Sequence, residues 1–272
     1  MRILVIADLH LDFWDLERRD PLPAIAAAAG NVDAVIIAGD LTNNAAMSWP
    51  PALARIQGTF PDRALFILPG NHEYYSGHLA LDDDLRTIAE DAGATFLQKT
   101  QFMLDDVRFL ACTLWTDFEL HNTPAASMAR ADQGMNDYVI IAKSGSDPNV
   151  IRPQDTVRIH RDHRAWLEDR LADPFDGRTV VITHHCPSPA GLHKEHPLSP
   201  AFGSDLDHLI DGSGIALWLF GHTHHPFSGS VAGVPIVNVS LNYPREITIR
   251  NIEQLVKPGV IDTALPGLLT EI

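Results

Sequence analysis

Residues 2–10 read RILVIADLH, an apolar run that stops at Asp8-Leu9-His10. No polar residue alternates with Ile3, Leu4, Val5 and Ile6, so a strand here is covered on both faces. The pattern recurs along the chain. Residues 33–38 (DAVIIA) stop at Gly39-Asp40, 64–68 (ALFIL) at Pro69-Gly70-Asn71, 179–183 (TVVIT) at His184, and 215–220 (IALWLF) at Gly221-His222. Between these runs the sequence predicts helices over residues 22–29, 49–57, 79–92, 160–171 and 204–210, with Gly30-Asn31 and Gly93 as stops. Such alternation predicts a layered α/β sheet. Residues 101–113, turning at Asp105-Asp106, and 227–239, turning at Ala232-Gly233, read as hairpins that add antiparallel strands to that sheet or form a second one.

Residues 114–158 follow neither period. They scatter Trp115, Phe118, His121, Met128, Met135 and Tyr138 among Asn, Asp, Gly and Pro, which predicts an irregular, lid-like insertion. The stretch after Ile252 reads as a tail packed on the surface. The 272 residues are taken as one domain, since α/β sheets often run past 200 residues.

With 35 acidic against 20 basic residues the formal charge is −15, which argues against broad binding to nucleic acid or anionic membranes. Two cysteines, Cys112 and Cys186, are too few for a disulfide framework. The first apolar run is too short for a signal segment or a membrane span. A soluble, cytoplasmic protein is therefore expected.

The strand ends carry the chemistry. In open α/β sheets the carboxyl ends of strands converge on one crevice. Five such ends would deliver Asp8, His10, Asp40, Asn71, His184, His222 and His224 to one place. Oxygen donors mixed with imidazole, and no thiolate, suit Mn, Fe, Zn, Co or Ni. Seven groups exceed the needs of one tetrahedral ion and fit two ions sharing a bridging carboxylate. In an extended 222–225 segment, His222 and His224 would face one side and His225 the other.

The series Asp8-x-His10, Gly39-Asp40-x-x-Asn43, Gly70-Asn71-His72-Glu73, His184 and Gly221-His222-x-His224 resembles the calcineurin-like metallophosphoesterase superfamily. The resemblance implies a four-layer α/β/β/α sandwich with two mixed sheets and a dinuclear centre of transition metals, Mn, Fe or Zn foremost. One metal would take Asp8, His10, Asp40 and His224, and the other Asp40, Asn71, His184 and His222, with Asp40 as the bridge. It further implies hydrolysis of a phosphomonoester or phosphodiester of a small soluble substrate, by a hydroxide that the metals hold. His72 would serve as a catalytic group beside the leaving oxygen, with Glu73 as a candidate to orient it and Asn43 behind the ligands. A nuclease acting on nucleic-acid ends and a non-catalytic scaffold on the same fold are the alternatives.

Several neighbours qualify for supporting roles. His185 reads as lying behind the ligands or facing substrate, and Cys186 as a buried free thiol. Asp12 and Trp14 are candidates for the pocket edge. Arg130, Arg152 and Arg158 are candidate phosphate clamps, while His193 and His196 read as exposed and non-ligating.

Overall fold

The computed structural model describes residues 1–193, 196–248 and 251–270. One sheet holds β1 (Arg2–Ile6), β2 (Ala34–Ala38), β3 (Ala64–Leu68) and β4 (Thr95–Phe96), all parallel, with β13 (Val260–Asp262) antiparallel against β1 at the edge. The other is built from β5 (Thr100–Leu104), β6 (Val107–Cys112), β9 (Arg178–Thr183), β10 (Ile215–Phe220), β11 (Ser228–Val231) and β12 (Val234–Asn238). Its spatial order is β11-β12-β10-β9-β6-β5, parallel at the centre with an antiparallel hairpin at each edge. Both hairpins fall where the sequence puts them.

The uninterrupted apolar runs have a direct cause. Successive residues of β1 divide between two cores: Leu4 and Ile6 face the helices, while Ile3 and Val5 face the other sheet. On β10, Leu217 and Leu219 enter the layer between the sheets, and Trp218 and Phe220 enter a third core on the far side. Each such side chain, fully buried, contributes about 1.5–3 kcal/mol. On the first sheet lie α2 (Leu22–Ala29), α3 (Ala45–Thr59), α4 (Asp82–Asp91) and α10 (Ile252–Val256), burying Ile25, Leu53, Leu85 and Ile252. Against the second lie α7 (Pro153–Ala172) and α9 (Asp207–Ile210), burying Leu167 and Ile210. The result is the expected four-layer α/β/β/α sandwich.

One element was not foreseen and two expectations need correction. A short helix, α1 (Leu11–Leu16), follows the first strand end and buries Leu11 and Trp14. The stretch beyond Ile252 is more than a tail, because β13 pairs with β1 through Arg2↔Asp262 to Leu4↔Val260. Residues 114–158 are mostly regular: α5 (Pro124–Gly134), α6 (Asp137–Ile140) and the hairpin β7 (Ala142–Ser144)–β8 (Asp147–Val150) lead into α7. The period was weak because α5 buries only the small residues Ser127 and Ala131. Another short helix, α8 (Ser199–Phe202), lies beside the site. No helix among the described residues is long and apolar enough to cross a membrane.

The sheets are also joined where their strands end. Ala7 N–H donates to Val239 O at 3.0 Å and Leu241 N–H donates to Ala7 O at 2.8 Å.

A candidate metal centre at the strand ends

The five strand ends meet. Asp8, His10, Asp40, Asn71, His184 and His222 are buried, and His224 is mostly so. Donor atoms fall into three groups within 4.8 Å of one another: Asp8, His10 and His224; His10, Asp40 and His72; Asp40, His184 and His222. The two carboxylates are used alike. Asp8 Oδ2 accepts from the His222 backbone N–H at 2.9 Å, leaving Oδ1 3.2 Å from His224 Nε2. Asp40 Oδ1 accepts from the His72 backbone N–H at 3.0 Å, leaving Oδ2 3.4 Å from His184 Nε2 and 3.9 Å from His10 Nε2. One oxygen of each thus ties down a distant motif while the other faces the centre. Asn71 Oδ1 lies 3.2 Å from His184 Nε2.

The backbone is bent to achieve this. Asp8, His10, Asp40, His222 and His224 all have positive φ, between 44° and 67°. For residues with a Cβ that conformation costs about 1–2 kcal/mol each and clusters at functional sites. The 222–225 segment is therefore not extended, and the alternation expected there fails. His222 and His224 reach the centre through left-handed turns, while the His225 ring lies tilted against that of exposed His193 at 4.4 Å. Close approach explains Gly70, where an added Cβ would collide with Asp40 Oδ1 and the His184 ring, and Gly39, whose φ of 96° makes the turn.

Electrostatics follow from burial and neighbours. Burial opposes protonation of His184, yet Asp40 outweighs it and pushes the imidazole up to about 9. Against the same penalty, Asp8 and Glu246 push His224 up to about 10. Burial and the charge of His184 bring His222 down to about 3. Burial works to raise the Asp8 carboxyl, but His224 holds it well below the usual range.

The donor set fits a metal. Nε2 of His10 and of His224 lie 3.3 Å apart beside the Asp8 carboxylate, a spacing that one shared ion can bridge. His222 Nε2 is buried with no hydrogen-bond partner. Oxygen and imidazole donors together suit first-row transition metals.

Around this cluster the supporting cast differs from expectation. Glu73 does not orient His72. It accepts backbone N–H groups from Asp40 (2.9 Å), Leu41 (2.8 Å) and Gly70 (2.6 Å), plus the Trp49 indole at 3.3 Å, so it clamps two strand-end loops together. Burial and the Asp40 charge push its carboxyl up to about 7. Asn43 holds His72 instead: Nδ1–H donates to Asn43 Oδ1 at 2.6 Å, the tautomer following from the acceptor. His72 also stacks on Tyr75 at 4.2 Å, and its Nε2 lies 3.3 Å from the Tyr243 hydroxyl.

His185 is buried, tilted against His222 at 4.2 Å and stacked on Trp115 at 5.1 Å, and it does not line the cavity over the cluster. Cys186 is a buried free thiol that burial pushes up to about 12. Trp14 is a core residue under Arg19 rather than a pocket edge, and Asp12 is only partly exposed beside it. None of the three arginines clamps the site: Arg152 pairs with Asp132 and Arg158 with Asp155, while Arg130 is exposed and does not line the cavity.

A cavity of about 340 Å³ opens over the cluster, lined by Asp40, Asn71, His72, His222 and His224. Phe202 of α8, residues 134–136 of the insertion, Tyr243 and Glu246 complete it. Tyr243 stacks on His10 at 4.4 Å, and Glu246 accepts from His224 Nδ1 at 3.3 Å. The sequence reading missed both, and nothing in the NYPRE stretch marks them. A larger cavity of about 510 Å³ lies between the β7–β8 hairpin and α7 and holds none of these donors.

The sequence model of the calcineurin-like phosphoesterases matches residues 1–226. A protein of Acanthamoeba polyphaga mimivirus, the uncharacterized protein L509, is 25% identical over 269 residues, spanning 90% of this chain and 93% of its own. The phosphopantetheinyl hydrolase PptH of Mycobacterium tuberculosis superposes with a TM-score of 0.64 at 18% identity, covering 90% of each chain. A dimetal phosphatase of Danio rerio does so with a TM-score of 0.55 at 15% identity, covering 92% of this chain and 90% of its own. At such identities the structural likeness speaks for the fold.

Proposed function

Because the chain belongs to the calcineurin-like phosphoesterase family, we propose that it is a metal-dependent hydrolase of small phosphoesters with its centre at Asp40. The observation that carries this reading is the position of Asp40 Oδ2, 3.4 Å from His184 Nε2 and 3.9 Å from His10 Nε2, between two donor groups. In this reading Asp8, His10, Asp40 and His224 hold one ion, and Asp40, Asn71, His184 and His222 hold the other. Mn, Fe and Zn match the donors. Two bound ions would neutralise charge on the phosphoryl oxygens and acidify a water molecule.

The chain's own residues would do the rest. Asn43 keeps the Nδ1 proton of His72 in place, so Nε2 is the atom that faces the cavity. There it would exchange a proton or hydrogen bond with the leaving oxygen. Tyr75 and Tyr243 hold the ring from two sides. Phe202, Met135 and Tyr243 would flank the reacting group.

The test is elemental analysis of protein purified without chelator, with turnover of p-nitrophenyl phosphate and bis(p-nitrophenyl) phosphate after metal reconstitution. Up to two transition metals per chain and hydrolysis of at least one ester are expected, with both lost in Asp40→Asn. A chain with no affinity for transition metals would sink the assignment.

A further inference from the structure

A second cavity adjoins the catalytic one. It encloses about 410 Å³, with Phe13, Leu16 and Pro244 supplying apolar walls. Tyr243 and Glu246 line both cavities, so the two meet at that ridge. The Tyr243 ring stacks on His10 at 4.4 Å and meets Phe13 edge-on at 5.3 Å, one residue touching both the donor cluster and the apolar wall. Leu16, at the end of α1, is 78% exposed although Leu11 and Trp14 of the same helix are buried. The charges in the second cavity are satisfied locally: Arg245 pairs with Glu17 at 3.1 Å, and Glu246 lies beside His224. That leaves an apolar recess with a few fixed polar groups, the usual make-up of a small-molecule subsite.

The catalytic cavity adds a charge constraint. Among the described residues lining it there is no Arg or Lys, while Asp40 and Glu246 bring carboxylates. A phosphomonoester carries nearly two negative charges at neutral pH and a diester only one. Apart from the imidazoles, which the hydrolase reading gives to the ions and to the leaving oxygen, that lining holds no cationic side chain to offset the second charge.

Building on the hydrolase reading above, we propose that the substrate is a phosphodiester with one apolar ester substituent, seated over Phe13, Leu16 and Pro244. The Tyr243 ridge separates the reacting phosphoryl group from this recess.

The experiment compares methyl, butyl and hexyl p-nitrophenyl phosphate with p-nitrophenyl phosphate on the metal-reconstituted protein. Calorimetric binding of methyl, butyl and hexyl methylphosphonate runs in parallel. The diesters should be turned over faster than the monoester, with kcat/KM rising about fourfold per added methylene. Leu16→Glu, and Leu16→Ser as a milder second variant, should flatten that series by bringing kcat/KM for the hexyl ester down toward that of the methyl ester. A length-independent series in both turnover and binding overturns the subsite, and so does an unaltered slope in Leu16→Glu. A monoester faster than every diester overturns the diester preference. If no ester is hydrolysed yet phosphonate binding still tightens with chain length and flattens in Leu16→Glu, the recess stands and the hydrolase reading falls.

Discussion

Asn71 Nδ2 donates to Asp137 Oδ1 at 2.9 Å, both residues buried, across 66 positions of sequence. Asp137 Oδ2 takes a second bond from the Tyr75 hydroxyl at 3.3 Å. With its amide nitrogen committed, Asn71 turns Oδ1 toward His184 and the centre. The inserted segment therefore reaches the strand-end cluster through one side chain of α6.

Removing that carboxylate tests the link. Asp137→Ala should weaken the ion held by Asn71, His184 and His222 by about 10–100-fold, as loss of an outer partner does. The ion held by Asp8, His10 and His224 should keep its affinity. Titration calorimetry with Mn²⁺ resolves the two steps, and two unchanged steps would remove Asp137 from that role.

His72 and Asn43 should separate chemistry from metal binding. His72→Ala should keep its metal content and lose about 10²–10⁴-fold in kcat, the range for a positioned proton donor. Asn43→Ala, which frees Nδ1, should lose less, about tenfold by comparison with other outer-shell partners. The checks are steady-state kinetics on p-nitrophenyl esters and elemental analysis; turnover equal to wild type in His72→Ala would end its assignment.

Gly70 and Gly58 make opposite predictions for one substitution. Gly70→Ala drives a methyl group into Asp40 and His184, so both thermal stability and metal uptake should fall. Gly58 lies within α3 with nothing within 4 Å of an added Cβ, so Gly58→Ala should stabilise by about 0.5–1 kcal/mol. Denaturant midpoints of the two variants decide it.

Acid sensitivity should come partly from α7. Burial brings His163 down to about 3, and its Nδ1 accepts the Leu114 backbone N–H at 3.1 Å, so it folds neutral. A depressed folded pKa means full stability above about 6.5, lost as pH falls from there toward 3. By pH 4 the loss is about 3 kcal/mol, with buried His160 lowered in the same direction. Urea unfolding from pH 7 to 4 should show a shallower decline in His163→Gln than in wild type. Equal slopes would place the acid sensitivity elsewhere.

Some of this molecule was legible before any coordinates. The apolar runs of β1, β2 and β10 predicted doubly covered strands because each residue lies against one core or the other. Helix α2 spans residues 22–29 as the periodicity predicts, with Gly30 at its end. The clustering of Asp8, His10, Asp40, Asn71, His184, His222 and His224 was foreseeable because each lies within four residues of a strand's carboxyl end. Helix α5 was not readable, since its buried face is made of Ser127 and Ala131. Glu73 was misassigned because its bonds run to Asp40 and Leu41, more than 30 residues back, and not to its neighbour.

The sequence by itself determined the layered α/β class, the two edge hairpins and which side chains stand at the strand ends. Those features depend on local period and on residue type at a given step along a strand. Tertiary structure alone decided what supports each donor: Asn43 for His72, Asp137 for Asn71, Glu246 for His224, and Tyr243 between the two cavities. It also decided that His222 and His224 arrive through left-handed turns rather than along an extended strand. The physical reason is range. A backbone preference acts over a few residues, whereas a hydrogen bond between residues 22 to 66 positions apart exists only after the chain has folded and brought those loops together.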